Sequence, residues 1–134
     1  MTDKIGKGLT IFILDDEKDI CHFVKEFFLK RGFDVYTALT SRAAVNTIKK
    51  IQPDIALLDI RLPEKERTGL DVLQLIKEIR PGCYCVMVTY VDDWELIARA
   101  TEIGAVGYLK KPLTLPELEY TINKIVKKLR KAGK

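Results

Sequence analysis

Histidine is nearly absent from this chain: His22 is the only one in 134 residues. One imidazole cannot form a metal cluster, and His22 falls inside a predicted helix, where a surface or packing role is expected. Cysteine is scarce too. Cys21, Cys83 and Cys85 are an odd number, which gives no disulfide framework. Cys83-Tyr84-Cys85 has the C-x-C spacing of some metal sites. No second Cys/His pair accompanies it, so both cysteines read as small strand residues. No apolar run approaches the length of a membrane span. The first eight residues, Met1 to Gly8, lack the apolar core of a signal peptide, so a cytoplasmic location is expected. Acidic residues are missing after Glu119, where Lys124, Lys127, Lys128, Arg130, Lys131 and Lys134 accumulate. That end reads as a solvated helix face whose cations complement the helix dipole. Direct nucleic-acid binding is not expected of it.

What remains is a soluble globular profile: 47% hydrophobic, 31% charged, net charge +4. The length fits one domain with a substantial core. Strand and helix patterns alternate throughout. Strands are predicted at 10–14, 33–38, 55–58, 84–89 and 105–109. The first helix, 17–31, places Ile20, Phe23, Val24, Phe27 and Phe28 at helical spacing and ends at Gly32. Ser41 is the expected N-cap of the second, which Pro53 stops. Gly69 lies near the start of the third, and Pro81-Gly82 breaks it. Asp92 or Asp93 caps the fourth. Thr114, with Glu117 three residues on, caps the last. Near-continuous apolar strands joined by helices imply a parallel sheet covered on both faces. Ligands of such sheets bind beyond the carboxyl ends of the strands.

Those ends carry the chemistry. Asp15-Asp16 follow Thr10-Ile11-Phe12-Ile13-Leu14, Asp59 follows Ile55-Ala56-Leu57-Leu58, and Thr89 follows Val86-Met87-Val88. Lys111 stands before Pro112, just past Tyr108-Leu109. Clustered carboxylates raise one another's proton affinity, and a hard cation relieves the repulsion. An all-oxygen set without His or Cys favours magnesium, with manganese as a substitute, over zinc. A hydroxyl and an ammonium beside such a cation suit a transferred phosphoryl group.

The motifs Ile13-Leu14-Asp15-Asp16-Glu17, Leu57-Leu58-Asp59-Ile60-Arg61-Leu62-Pro63, Val88-Thr89, Gly104-Ala105 and Tyr108-Leu109-Lys110-Lys111-Pro112 resemble the receiver domain of two-component response regulators. Each is weak alone, but their order and spacing are specific. The resemblance covers about residues 9–130, leaving 1–8 as an expected flexible tail and 131–134 as a basic one. It implies an α/β, flavodoxin-like (βα)5 fold with strand order 2-1-3-4-5. It implies Asp59 as phosphoacceptor from a phosphohistidine on a sensor histidine kinase or a histidine phosphotransfer protein. Asp16 matches the direct metal ligand, Asp15 the carboxylate acting largely through water, and Arg61 the backbone-carbonyl ligand. Thr89 matches the switch hydroxyl, Tyr108 the aromatic switch, and Lys111, not its neighbour Lys110, the phosphate-pairing lysine. A cis Lys111–Pro112 bond is also implied. The output partner is expected on the face made by the fourth helix, fifth strand and fifth helix, where Trp94 is a candidate contact. A homodimer formed on phosphorylation stays open, as does whether the chain acts alone or within a longer regulator. Catalysis would be confined to self-phosphorylation and self-dephosphorylation, so no separate enzyme is expected.

Three other classes fit less well. A haloacid dehalogenase-type phosphatase wants a second Asp two residues after its nucleophile, where this chain has Arg61. A flavodoxin wants Thr and Ser, not Asp15-Asp16-Glu17, around its phosphate. A degenerate receiver used only for binding would not need the complete acidic, Thr and Lys set. Three departures from the family remain: the charged stretch Glu64-Lys65-Glu66-Arg67-Thr68 before Gly69, the side chain of Arg61, and Tyr90 where a small residue is usual. A bulky Tyr90 beside the phosphoryl pocket is expected to restrict access by water, a phosphatase or a small phosphodonor, unless it points outward. Tyr90→Ala is therefore expected to lose its phosphoryl group faster than the unaltered chain, measured as decay of the phosphorylated mass; equal or slower decay contradicts this.

Overall fold

The computed structural model describes residues 4–63, 68–90 and 93–134. The loop residues 64–67 and the candidate cap Asp92 lie outside them. Ten elements alternate along the chain: β1 (Thr10–Leu14), α1 (Lys18–Leu29), β2 (Asp34–Ala38), α2 (Ser41–Ile51), β3 (Ile55–Asp59), α3 (Gly69–Ile79), β4 (Tyr84–Thr89), α4 (Trp94–Ile103), β5 (Gly107–Lys110) and α5 (Leu115–Lys131). All strand pairs are parallel, in the order β2-β1-β3-β4-β5. This is the flavodoxin-like arrangement, with its switch point between β1 and β3.

Side-chain alternation along the strands divides the interior into two cores. Ile11, Ile13, Ile55, Leu57, Val86 and Val88 face α1 and α5, where they meet Val24, Phe28, Leu118, Ile122 and Ile125. Phe12, Leu14, Ala56, Leu58, Cys85 and Met87 face the other way, onto Ala44, Ile48, Leu73, Ile76 and Ala100 of α2, α3 and α4. Burying both faces of β1, β3 and β4 is what fixes these three strands at the centre, and their carboxyl ends become the floor of a shared site.

Local signals diverge from the sequence reading at several points. Phe23 is exposed, and Cys21 takes the buried position on α1. Thr40, not Ser41, caps α2. Its extended backbone lets its Oγ1 accept from Ala43 N at 3.1 Å, and Ser41 becomes the first helical residue. α3 has a capping box between Thr68 and Asp71 that the sequence reading did not single out. Ala105 N bonds back to Ala100 O, so it closes α4 and β5 starts only at Gly107. Residues 4–8, expected as part of a tail, bond to the rest of the domain. Gly6 N donates to Arg31 O at 2.9 Å, and an Arg130 Nη donates to Ile5 O at 2.8 Å and Lys7 O at 2.9 Å. Lys131, placed in the other tail, is the last residue of α5.

Gly69 fixes the path of the chain below the site. A Cβ there would sit 2.0 Å from the carbonyl oxygen of Asp59 and 2.8 Å from its carbonyl carbon, so only glycine lets α3 start this close to the end of β3. Gly69 N also donates to Ile60 O at 3.0 Å. Gly69→Ala must push backbone against backbone and is expected to cost about 1–3 kcal/mol. Thermal denaturation checks it: a melting temperature equal to the unaltered chain would show that α3 can shift without penalty.

Candidate functional site

The ends of β1, β3, β4 and β5 converge on one ammonium. Lys111 Nζ lies 2.7 Å from Asp15 Oδ2, 3.0 Å from Glu17 Oε2 and 3.2 Å from Asp59 Oδ2, and its side chain is 1% exposed. The backbone aims it there. Lys111 N donates to Thr89 O at 2.7 Å, which ties the residue after β5 to the end of β4, and the Lys111–Pro112 bond is cis, as the resemblance implied. Lys110, its neighbour, is exposed at the end of β5. The lysine at the site is thus the one singled out from the sequence.

The carboxylates are held from below. Asp15 Oδ1 accepts from Glu17 N at 2.9 Å, and Asp15 N donates to Ala38 O at 3.1 Å. Asp59 Oδ1 accepts from Arg61 N at 3.2 Å, and Ile60 N donates to Val88 O at 3.0 Å. Asp15 and Asp59 are buried whereas Asp16 is exposed, and one oxygen from each of the three lies within 4.8 Å of the others. Thr89 is buried at the end of β4 beside them.

Burial raises the proton affinity of both buried acids, and Lys111 only partly opposes it. Asp59 is pushed up to about 6 from its ordinary 3.8, first by desolvation and then by the Asp15 charge, against the pull of Lys111. Asp15 is raised for the same first reason. Glu17 moves the other way, because its half-exposed carboxylate accepts from Lys111 and Tyr90. Burial disfavours the Lys111 ammonium, but Asp15, Glu17 and Asp59 outweigh that and hold it above the ordinary lysine range. Three acids at the cluster around one ammonium leave an excess of negative oxygen, with no nitrogen or sulfur ligand in the group. A hard divalent cation fits that donor set.

Two residues with no expected part in the site complete the rim. Glu17 is the third residue of the acidic run after β1. It bridges Lys111 and Tyr90, whose hydroxyl donates to Glu17 Oε1 and Oε2, each at 2.9 Å. Asp93, an expected helix cap, occupies the N-cap position of α4 without making a side-chain cap bond. Its Oδ2 instead accepts from Arg61 Nε at 2.8 Å, joining the loop after β3 to the start of α4. An acidic residue at a helix start signals a cap, and only the fold reveals a competing guanidinium.

Of the remaining candidates, Cys21 lies beside the acids, its Sγ donating to Asp15 O at 3.4 Å. Tyr108 faces outward on β5, and Trp94, the first residue of α4, packs its ring edge-on at 5.8 Å between centroids. His22 is exposed. Cys21, Cys83 and Cys85 are free and buried. Among the described residues, Asp15, Asp16 and Asp59 form the acidic group able to hold a metal ion.

The raised Asp59 sets a pH dependence. A carboxyl whose affinity for a proton is higher folded than unfolded binds that proton in the native state first, so stability rises as pH falls through about 6 and levels near 4. The gain is bounded by about 3 kcal/mol, at about 1.4 kcal/mol per pKa unit. Asp15 adds with the same sign; Glu17, lowered by folding, withdraws stability below its ordinary 4.5. Melting temperature in chelator is therefore expected to be higher at pH 5 than at pH 7.5, and Asp59→Asn should remove most of the difference. A flat profile in the unaltered chain would contradict the burial argument.

Comparison with known proteins agrees with this geometry. The family described as the response regulator receiver domain matches residues 11–123. Sporulation initiation phosphotransferase F of Bacillus subtilis is 27% identical over 85% of this chain and 90% of its own length. A cyclic di-GMP phosphodiesterase of Thermotoga maritima is 31% identical over 85% of this chain. This chain spans only 30% of that protein's length, so the likeness is confined to one part of it. Among solved structures, a CheY-like response regulator receiver domain protein from Methanospirillum hungatei superposes with a TM-score of 0.86 at 27% identity, covering 92% of this chain and 98% of its own. A two-component response regulator from Clostridium difficile gives 0.83 at 27% identity, over 90% and 98%. No described helix is long and apolar enough to cross a membrane. With its parallel sheet, its acidic strand ends and a family match over most of its length, the chain belongs to the response regulator receiver domains.

Proposed function

We propose that this receiver domain is a switch thrown by phosphorylation of Asp59. The observation that carries the reading is the convergence of Asp15, Asp16 and Asp59 with Lys111 at one edge of the sheet. An Asp59 oxygen attacks the phosphorus of a phosphohistidine on a sensor kinase or phosphotransfer protein. The P–N bond breaks, and the imidazole leaves with the electron pair and takes up a proton. Hydrolysis later returns Asp59 as a carboxylate and releases inorganic phosphate. Both steps belong to the signalling cycle, and no separate enzymatic activity is assigned.

Asp15, Asp16, Asp59 and the backbone carbonyl of Arg61 are the residues that would hold magnesium, or manganese in its place. When bound, the cation offsets the repulsion between the acidic cluster and an incoming phosphoryl group. Lys111 then pairs with a phosphoryl oxygen instead of with Asp59. Thr89, buried at the end of β4, supplies a hydroxyl to a second oxygen and thereby biases its strand end. Tyr108 is the residue that follows Thr89 inward, leaving its edge contact with Trp94. The surface of α4, β5 and α5 around those two rings would be read by an output protein or domain, or by a second copy of the chain. Residues 9–130 act as the functional unit in this reading, in a cytoplasmic setting where a phosphorelay operates.

Incubation with magnesium and phosphoramidate or acetyl phosphate, read by intact mass, tests it. One phosphoryl adduct is expected in the unaltered chain, none in Asp59→Ala, and at least a hundredfold less without divalent cation, an electrostatic loss of about 3 kcal/mol. Failure of small donors and of a phosphohistidine protein alike would leave a module that acts by binding alone.

A further inference from the structure

The sheet order sets β3 between β1 and β4. Glu17 follows β1 and Tyr90 follows β4. The bond between their side chains therefore crosses the carboxyl end of β3, in front of Asp59. It is a charged bond, from a phenol hydroxyl to both oxygens of a carboxylate at 2.9 Å. The same carboxylate holds Lys111 Nζ at 3.0 Å, and the Tyr90 ring centroid lies 4.8 Å from that nitrogen. Lys111 is thus enclosed by Asp15, Glu17, Asp59 and an aromatic face. Tyr90 keeps 58% of its surface open on the outside.

We propose that Tyr90 and Glu17 are positioning residues that latch the mouth of the site and gate entry of phosphoryl donors to Asp59. The proposal rests on the reading of Asp59 as acceptor. A donor's oxygens have to reach Lys111, and Glu17 and Tyr90 occupy its open side, so entry requires the latch to part. The observed rate is then the intrinsic rate multiplied by the fraction of molecules that stand open. A compact donor such as phosphoramidate has too few groups to part the latch and must wait for that fraction. A donor carried on a protein can bind the exposed Tyr90 ring and put that contact toward opening.

Gating by an open fraction has a signature that direct chemistry by the phenol lacks: every small donor gains the same factor when the latch is removed. In magnesium, Tyr90→Phe, which keeps the ring and deletes the donor hydroxyl, is expected to accelerate phosphoramidate and acetyl phosphate alike by about tenfold, the scale of one hydrogen bond to a charged group. Glu17→Ala should give a similar gain, and the double variant no more than the larger single one, because the two residues make one latch. Association of beryllium fluoride with the magnesium-loaded chain, followed by the fluorescence of Trp94, the only tryptophan, should quicken by the same factor without any phosphoryl chemistry. Magnesium affinity by calorimetry should stay within about twofold in Tyr90→Phe, since a neutral group replaces a neutral group outside the acidic cluster. Gains that differ between the two donors, gains that multiply in the double variant, or a change in magnesium affinity that matches the rate change would each overturn the latch. If the unaltered chain takes up a phosphoryl group and Tyr90→Phe does so no faster, the latch falls and the acceptor reading stands. If neither small donor labels any form of the chain, the latch falls, and if a phosphohistidine protein fails as well, the acceptor reading falls with it.

Discussion

The Lys111 ammonium is the interaction on which this edge of the molecule depends. Asp15 and Asp59 are buried and close together, and two bare carboxylates in that position would repel and lack solvent. One ammonium between them makes the arrangement tenable, yet it belongs to the residue after β5, the strand farthest along the sheet from β1. The charge thus links opposite parts of the topology. It does so only because Lys111 N is tied to Thr89 O, so that the end of β4 presents the side chain toward β1 and β3. Breaking a buried ion pair from one side leaves the other side uncompensated. The geometry of four strand ends is therefore interdependent.

That solution is a compromise between stability and reactivity. Desolvation still dominates the acids despite the ammonium, so the native state carries electrostatic strain at the place where chemistry is proposed. Packing elsewhere offsets it: the two cores on either face of the sheet contain no comparable cluster of charge among the described residues. Strain concentrated in a functional site and supported by an apolar scaffold is the usual division of labour in a folded domain. It also explains why a cation and a phosphoryl group, each able to relieve part of the repulsion, have consequences beyond the atoms they touch.

Most of this was legible in the sequence where a residue's role depends on its own chain neighbourhood. β1, β3 and β4 are short apolar runs ended by an acid or a threonine, and their ends matched the reading within a residue. Pro53 and Pro81-Gly82 marked two helix ends, and Lys111 was separated from Lys110 by its place before Pro112. Roles set by partners distant in sequence were not legible. Glu17 meets Tyr90 across 73 residues and Lys111 across 94, and Asp93 meets Arg61 across 32. Phe23 failed for a related reason: helical spacing identifies an apolar stripe, but the neighbouring elements decide how wide a stripe they cover. Thr40 and Ser41 are chemically interchangeable caps, and one residue of backbone conformation decided between them.

Asp54 sits at the opposite end of β3 from Asp59. Its Oδ2 accepts from Thr10 N at 2.9 Å, its Oδ1 pairs with Arg80 at 2.7 Å and with Lys134 at 3.3 Å, and its backbone ties to Thr10 O and Tyr84 N. Ile55 to Leu58 are apolar and buried on both faces, so the alternation that sets registry in half-exposed strands gives them little preference for one alignment. A slide of β3 by two residues would keep every side chain on its own face and still find oily neighbours. It would also drag Asp54 into the interior and lift Asp59 out of its place. The polar residue on the far side thus works as an end-stop, and the depth of Asp59 is gauged from the edge of the sheet where no chemistry is proposed.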